Sequence, residues 1–141
     1  MKIQFVAGFG PVVGDPAASR SWWSALGLNL HENAPDYWGL DDLGGVNAFA
    51  LWPLDQAAQN TFGTPDWPAE TPIPQAWIEL DVGSAEEVAD AQQELESKGH
   101  RLLRATATEE WGQTTARLLS PEGLLVGITF TPWMHEQPKS D

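Results

Sequence analysis

The chain has 141 residues, enough for one ordinary domain, and its 7 Lys+Arg against 20 Asp+Glu give a formal net charge of −13. Such a surface repels phosphate backbones and anionic bilayers, so neither nucleic acid nor membrane is an expected partner. The absence of cysteine removes disulfides, thiolate metal sites and thiol nucleophiles together.

In chain order, Ile3 to Val13 reads as a strand, bent by Gly8, Gly10 and Pro11. Asp15-Pro16 is a helix start, with Asp15 as N-cap and Pro16 at the first helical position. That helix covers Ala17 to Ala25 and stops at Gly27. Short strands follow near Leu28–Glu32, Tyr37–Leu40 and Val46–Trp52, separated by Asn33-Ala34-Pro35-Asp36 and Asp41-Asp42-Leu43-Gly44. Residues 54–74 are rich in proline and small polar residues and lack either period, which predicts an irregular linker around Trp67. Gln75–Val82 alternates, with Trp77, Glu79 and Asp81 on one face and Ile78, Leu80 and Val82 on the other. Ser84, with Glu87 three residues on, caps a second helix that ends at Lys98-Gly99. Its acidic residues Glu86, Glu87, Asp90, Glu94 and Glu96 form a solvated face. Strands near Arg101–Ala105, Gln113–Leu119 and Leu124–Phe130 complete the pattern, and the tail 134–141 is polar and expected to fray. No apolar run approaches the roughly 20 residues of a bilayer span, and Met1-Lys2-Ile3-Gln4 has no leader-like apolar stretch, so a cytoplasmic location is expected.

Strand–helix–three strands occurs twice, which is an internal repeat. Leu43 through Pro53 lies over Glu122 through Pro132 without a gap, and Val13 with its cap Asp15 lies over Val82 with its cap Ser84. Neither half buries enough surface to stand alone, so the halves should share a core.

Two stretches carry a resemblance: Val13-Gly14-Asp15 with Ser19-Arg20-Ser21-Trp22-Trp23-Ser24-Ala25-Leu26-Gly27-Leu28, and Trp111-Gly112-Gln113 with Ser120-Pro121-Glu122-Gly123-Leu124-Leu125. Together with the two helices and the repeat, they resemble the vicinal oxygen chelate superfamily of glyoxalase I, bleomycin-resistance proteins and extradiol dioxygenases. The resemblance implies an α+β fold: two tandem βαβββ modules, 1–53 and 75–133, forming a curved mixed sheet around a central cleft. It also implies a homodimer. Metal-using members place His or Glu at the start of each first strand and Glu near the middle of each last strand. Counting back from Val13 and Val82, which precede the caps, the first-strand positions fall on Gly8 and Trp77. Through the repeat alignment the last-strand positions fall on Ala48 and Gly127; none of the four is a side-chain ligand. Neither a metal nor any other cofactor is therefore expected.

Other chemistry is thin. His31 and His135 each precede a glutamate, but adjacent strand residues point to opposite faces, so these and His100 read as surface or cap residues. Gly8-x-Gly10-x-x-x-Gly14 is one residue too long for a dinucleotide loop and contains Pro11. Eight of the 14 aromatic residues are tryptophan, and several should line a cavity or an interface. Trp77, Glu79 and Asp81 share the face that the resemblance turns toward the cleft. There the acids would serve as a general base or a partner for a cationic ligand; at the rim they would merely be hydrated. Trp111 is either a stacking wall or a core plug, and Gln113 offers an amide. Trp52 has the parity of Ala48, so Trp52 and Trp77 are expected to oppose each other as a slot. These readings point to a metal-free protein that sequesters a planar aromatic or cationic small molecule, a drug or a metabolite. The alternative is a lyase, isomerase or dioxygenase using a carboxylate base, or a metal held by unaligned residues such as His31, Glu32 or Glu79.

Overall fold

The computed structural model describes residues 1–135; residues 136–141 of the expected frayed tail lie outside the described residues. The first module is β1 (Phe5–Val13), α1 (Pro16–Ser24), β2 (His31–Ala34), β3 (Tyr37–Leu40) and β4 (Phe49–Pro53). After α2 (Leu54–Phe62) the second repeats it as β5 (Ala76–Asp81), α3 (Ala85–Ser97), β6 (Arg104–Thr108), β7 (Thr114–Leu119) and β8 (Leu125–Phe130), followed by the single turn α4 (Pro132–His135). The caps form as their side chains dictate: Asp15 Oδ1 accepts from Ala18 N at 3.1 Å and Ser84 Oγ from Glu87 N at 3.2 Å.

The eight strands form one open mixed sheet in the order β2-β3-β4-β1-β5-β8-β7-β6. The order reads the same from either edge when the modules are exchanged. The modules meet where β1 and β5 run antiparallel, and each first strand lies parallel to its own module's last strand. One chain thus completes the paired βαβββ sheet.

Alternation along the strands sorts the core into two faces. On one face, Val13, Phe49 and Leu51 pack with Trp23 of α1, while Val82, Ala116 and Ile128 pack with Val88 and Ala91 of α3. On the other, Ala50, Trp52, Trp77 and Leu125 pack with Ala57 of α2. No helix among the described residues is long and apolar enough to cross a membrane.

The segment 54–74, expected to be irregular, contains α2. Its buried stripe is Ala57, Ala58 and Thr61, side chains too small or too polar to register as a hydrophobic period, and it ends at Gly63 with φ +81°. Beyond it, Trp67 Nε1 donates to Thr71 O and Pro72 O, each at 3.1 Å, and the ring meets Phe62 edge-on at 4.9 Å. Two strands also sit further along than expected. β2 starts at His31 because Leu28 and Leu30 turn into the core beforehand, and β6 starts at Arg104, after the left-handed Gly99 (φ +87°) has reversed the chain.

Candidate functional site

The site lies where β4, β1, β5 and β8 run side by side. Phe9 pairs with Phe49, which sets Gly8 beside Ala48; Gly8 pairs with Glu79, and Glu79 with Gly127. The transverse row is therefore Gly8, Ala48, Glu79 and Gly127. Counting from the caps had put Trp77 in this row, two residues early. β1 runs seven positions from Gly8 to Asp15, whereas β5 runs five from Glu79 to Ser84, so the caps align while the strand middles do not.

Trp77 instead forms the floor. It is 3% exposed, its Nε1 donates to Ala50 O at 3.1 Å, and it meets Trp52 edge-to-face at 5.8 Å and 78°. The two indoles are in contact with each other, so the expected slot between them is closed. A Cβ on Gly8 would lie 2.6 Å from Cη2 of Trp77, so the indole occupies the space a ligating side chain at position 8 would need. The metal used by relatives of this fold is not matched by these residues. Glu79 alone in the row could ligate, and no group of three or more His, Cys, Asp or Glu side chains among the described residues could hold a metal ion.

Above this floor is a cleft of about 840 Å³, with walls from both modules, α2 and α4. Glu79 is half-buried in it. Burial pushes its carboxyl up from the ordinary value of 4.5; the Arg117 charge and a hydrogen bond from Gln113 oppose this, and Asp81 and Glu109 add to it. Trp111 Nε1 donates to Gln113 Oε1 at 3.1 Å, which turns the amide nitrogen toward Glu79 Oε1 at 3.0 Å and Thr131 Oγ1 at 2.8 Å. Thr131 Oγ1 in turn donates to Asp81 Oδ1 at 2.8 Å. The amide that Gln113 was expected to offer is thus bonded to Glu79 by a directional hydrogen bond.

Asp81 shares the parity of Glu79 but lies in the core beyond the cleft, 0% exposed. Thr129 Oγ1, Thr131 N and Thr131 Oγ1 donate to it, and His135 Nε2 stands 2.6 Å from its Oδ2. It is therefore a structural acceptor, neither hydrated at a rim nor open to a ligand. His135, expected at the surface, is wedged between Phe5 and Phe130 at 5.0 and 4.7 Å and ties α4 to the sheet. Two further cleft residues, Trp133 and Met134, stand on α4. Trp111 is 49% exposed and Trp133 50%, so both indoles are open to solvent on the cleft's border.

Four wall residues escaped the sequence reading. Tyr37 lines the cleft, and burial together with the nearby Glu79 pushes its phenol up, so it remains an O–H donor. Arg117, in the middle of β7, is 1% exposed. A cation amid Thr114-Thr115-Ala116 and Leu118-Leu119 was the available signal, because buried arginine is rare without a partner. Trp133, the last residue of the expected second module, carried no site role, and Met134 fell in the tail expected to fray. His31 stands at the cleft edge on β2, while His100 is exposed beyond α3, away from it.

The architecture is the paired βαβββ fold of the vicinal oxygen chelate superfamily. No family model matches the sequence, and no curated protein matches it. Among solved structures, the chain is similar to the NAD-dependent benzaldehyde dehydrogenase from Legionella pneumophila at 14% identity, covering 87% of this chain and 96% of that one, with a TM-score of 0.59. A glyoxalase/bleomycin resistance protein/dioxygenase superfamily member from Vibrio splendidus aligns at 16% identity over 92% of this chain and 100% of that one, TM-score 0.58. Methylmalonyl-CoA epimerase from Mycobacterium tuberculosis aligns at 17% over 94% and 91%, TM-score 0.56. Three different descriptions on one fold mean that the likeness carries architecture, and that activity has to be argued from the site.

Proposed function

We propose that this protein binds a planar aromatic small molecule in its cleft without a metal ion, as a cytoplasmic sequestering protein for a drug or metabolite. The observation that carries the reading is the pair of half-exposed indoles, Trp111 and Trp133, bordering a cleft of about 840 Å³. Exposed aromatic faces on a concave wall are what a flat ligand covers, each stacking contact adding about 0.5–1.5 kcal/mol beyond burial. Glu79 and Tyr37 supply polar contacts on the same wall. The test is a fluorescence titration with planar aromatic compounds on protein stripped by chelator. Saturable quenching that survives chelation supports the reading; quenching that needs added metal, or none from a broad panel, defeats it.

One observation favours a second reading. Glu79, raised by burial and held through one oxygen by Gln113, is poised as a proton acceptor, as an isomerase or lyase would require. Turnover abolished by Glu79→Gln with ligand binding retained would favour this enzyme over the sequestering protein.

A symmetric homodimer is part of the proposal. It is supported by the open strand edges β2 and β6 and by Trp22 of α1 and Leu26 in the turn after it, each 61% exposed. Light scattering that returns the 15.4 kDa monomer mass would overturn it.

A further inference from the structure

Arg117 is the least expected residue of the cleft wall. It borders the cleft at 1% exposure, its guanidinium carbon 5.3 Å from the Trp52 ring centroid. Only one of its nitrogens is used: Nη1 donates to Asn60 O at 2.9 Å and to Glu109 Oε1 at 3.1 Å. Nε and Nη2 are buried with no hydrogen-bond partner among the described residues. The π face of Trp52 offsets part of that loss, but it is no substitute for an acceptor.

The charge is under-compensated as well. Glu109 is its ion-pair partner, yet the same Oε1 also faces Arg104 at 3.8 Å and accepts from Thr115 Oγ1 at 3.0 Å. Glu79 forms no ion pair with Arg117 within 4 Å among the described residues; it is bonded to Gln113. Asp81 is saturated by its own donors. The cleft lining carries two charged or strong donors, the guanidinium and the Tyr37 phenol, and two acids, Asp41 and Glu79, of which Glu79 is pushed up by burial and already bonded to Gln113. A buried guanidinium whose Nε and Nη2 lack acceptors, with one carboxylate shared between it and Arg104 and a phenol donor on the same wall, complements an acceptor that carries negative charge.

We infer that Arg117, with Tyr37, makes the cleft selective for an acidic aromatic ligand, one whose carboxylate is held by the guanidinium while its ring lies against the cleft tryptophans. The inference rests on the aromatic-binding reading above and names the charge of its ligand. It replaces the cationic ring suggested by the sequence, where Glu79 and Asp81 were the only cleft charges legible.

The test uses three ligands of one ring size on the 141-residue chain at neutral pH: 2-naphthoate, 2-naphthamide and 2-naphthylmethylammonium, followed by tryptophan quenching and calorimetry. Naphthoate should bind about tenfold or more tighter than the ammonium, with the amide between them. Arg117→Met should abolish that preference while leaving amide binding in place. Because Arg117 also ties β7 to α2 through Asn60, the variant is checked by circular dichroism. If it fails to fold, Glu109→Gln decides: relieving the competing carboxylate should tighten naphthoate by about threefold or more without tightening the ammonium. Equal binding of all three ligands, or an ammonium preference, overturns this inference and leaves the aromatic cleft standing. An unaltered naphthoate affinity in Glu109→Gln makes Arg117 a structural tie and also overturns it. Failure of all three ligands to bind overturns both readings.

Discussion

The two modules share a backbone and divide the chemistry between them. At the cleft row the first module contributes Gly8 and Ala48, which have almost no side chain, and the second contributes Gly127 and Glu79, whose carboxyl Gln113 holds. The bareness of one half is used by the other. Trp77 lies across Gly8 and bonds to Ala50 O, and a Cβ on Gly10 would sit 1.9 Å from that same carbonyl oxygen. The close approach of β1 to β4, and of both to an indole from β5, requires glycine there. A duplicated fold thus holds an undivided site: at this row one half supplies the room and the other supplies the indole and the carboxyl that use it, while the outer wall draws side chains such as Tyr37 and Arg117 from both halves.

The sharpest way to break this comparison is to remove what crosses it. Trp77→Ala should cost about 3–5 kcal/mol, a large-to-small loss at a buried position packed between Trp52, Leu125 and the glycine backbone of β1. Urea denaturation measures it, and a cost below that of an exposed tryptophan would mean that the modules do not lean on this ring. Asp81→Asn should cost less, about 2–3 kcal/mol, because its four contacts lie within the second module and α4. Its melting temperature should fall, and proteolysis after α4 should quicken as His135 loses its partner.

A smaller effect sharpens the asymmetry through pH. The Glu79 carboxyl is raised above 4.5 in the folded protein, so the native state holds a proton that the unfolded chain releases. Stability should therefore fall as pH rises from 4.5 through the raised value, and Glu79→Gln should flatten that slope. Denaturation midpoints across this range, with no difference between the two proteins, would contradict the buried position of Glu79. The smallest change in stability belongs to Trp111→Ala and Trp133→Ala, within about 0.5 kcal/mol. Yet each should weaken an aromatic ligand by a factor of about 2–10. Trp67→Ala, whose indole is spent on Thr71 O and Pro72 O, should leave ligand affinity unchanged.

Much of this was legible in the chain because it depends on neighbours in sequence. Asp15-Pro16 and Ser84 start their helices through bonds that span three residues, and the alternation of Trp77, Glu79 and Asp81 follows from the strand period. The repeat, read from its element order and its aligned last strands, led to the paired modules. α2 was missed because alanine and threonine make a buried stripe without a hydrophobic signature. α4 was missed because a single turn of four residues leaves almost no period to read.

The sequence by itself determined the two βαβββ modules, their caps and the acidic, cysteine-free character of the chain, since propensity, capping and composition are local properties. Only the tertiary structure decided which residues share the row. Register between β1 and β5 is set by long-range pairing, and two extra residues before one cap move Glu79 into the place counted for Trp77. It also decided the fate of each charge. Whether Asp81 is saturated, Glu79 desolvated or Arg117 left with unused donors depends on groups up to 57 positions away, brought together only when the sheet closes around them.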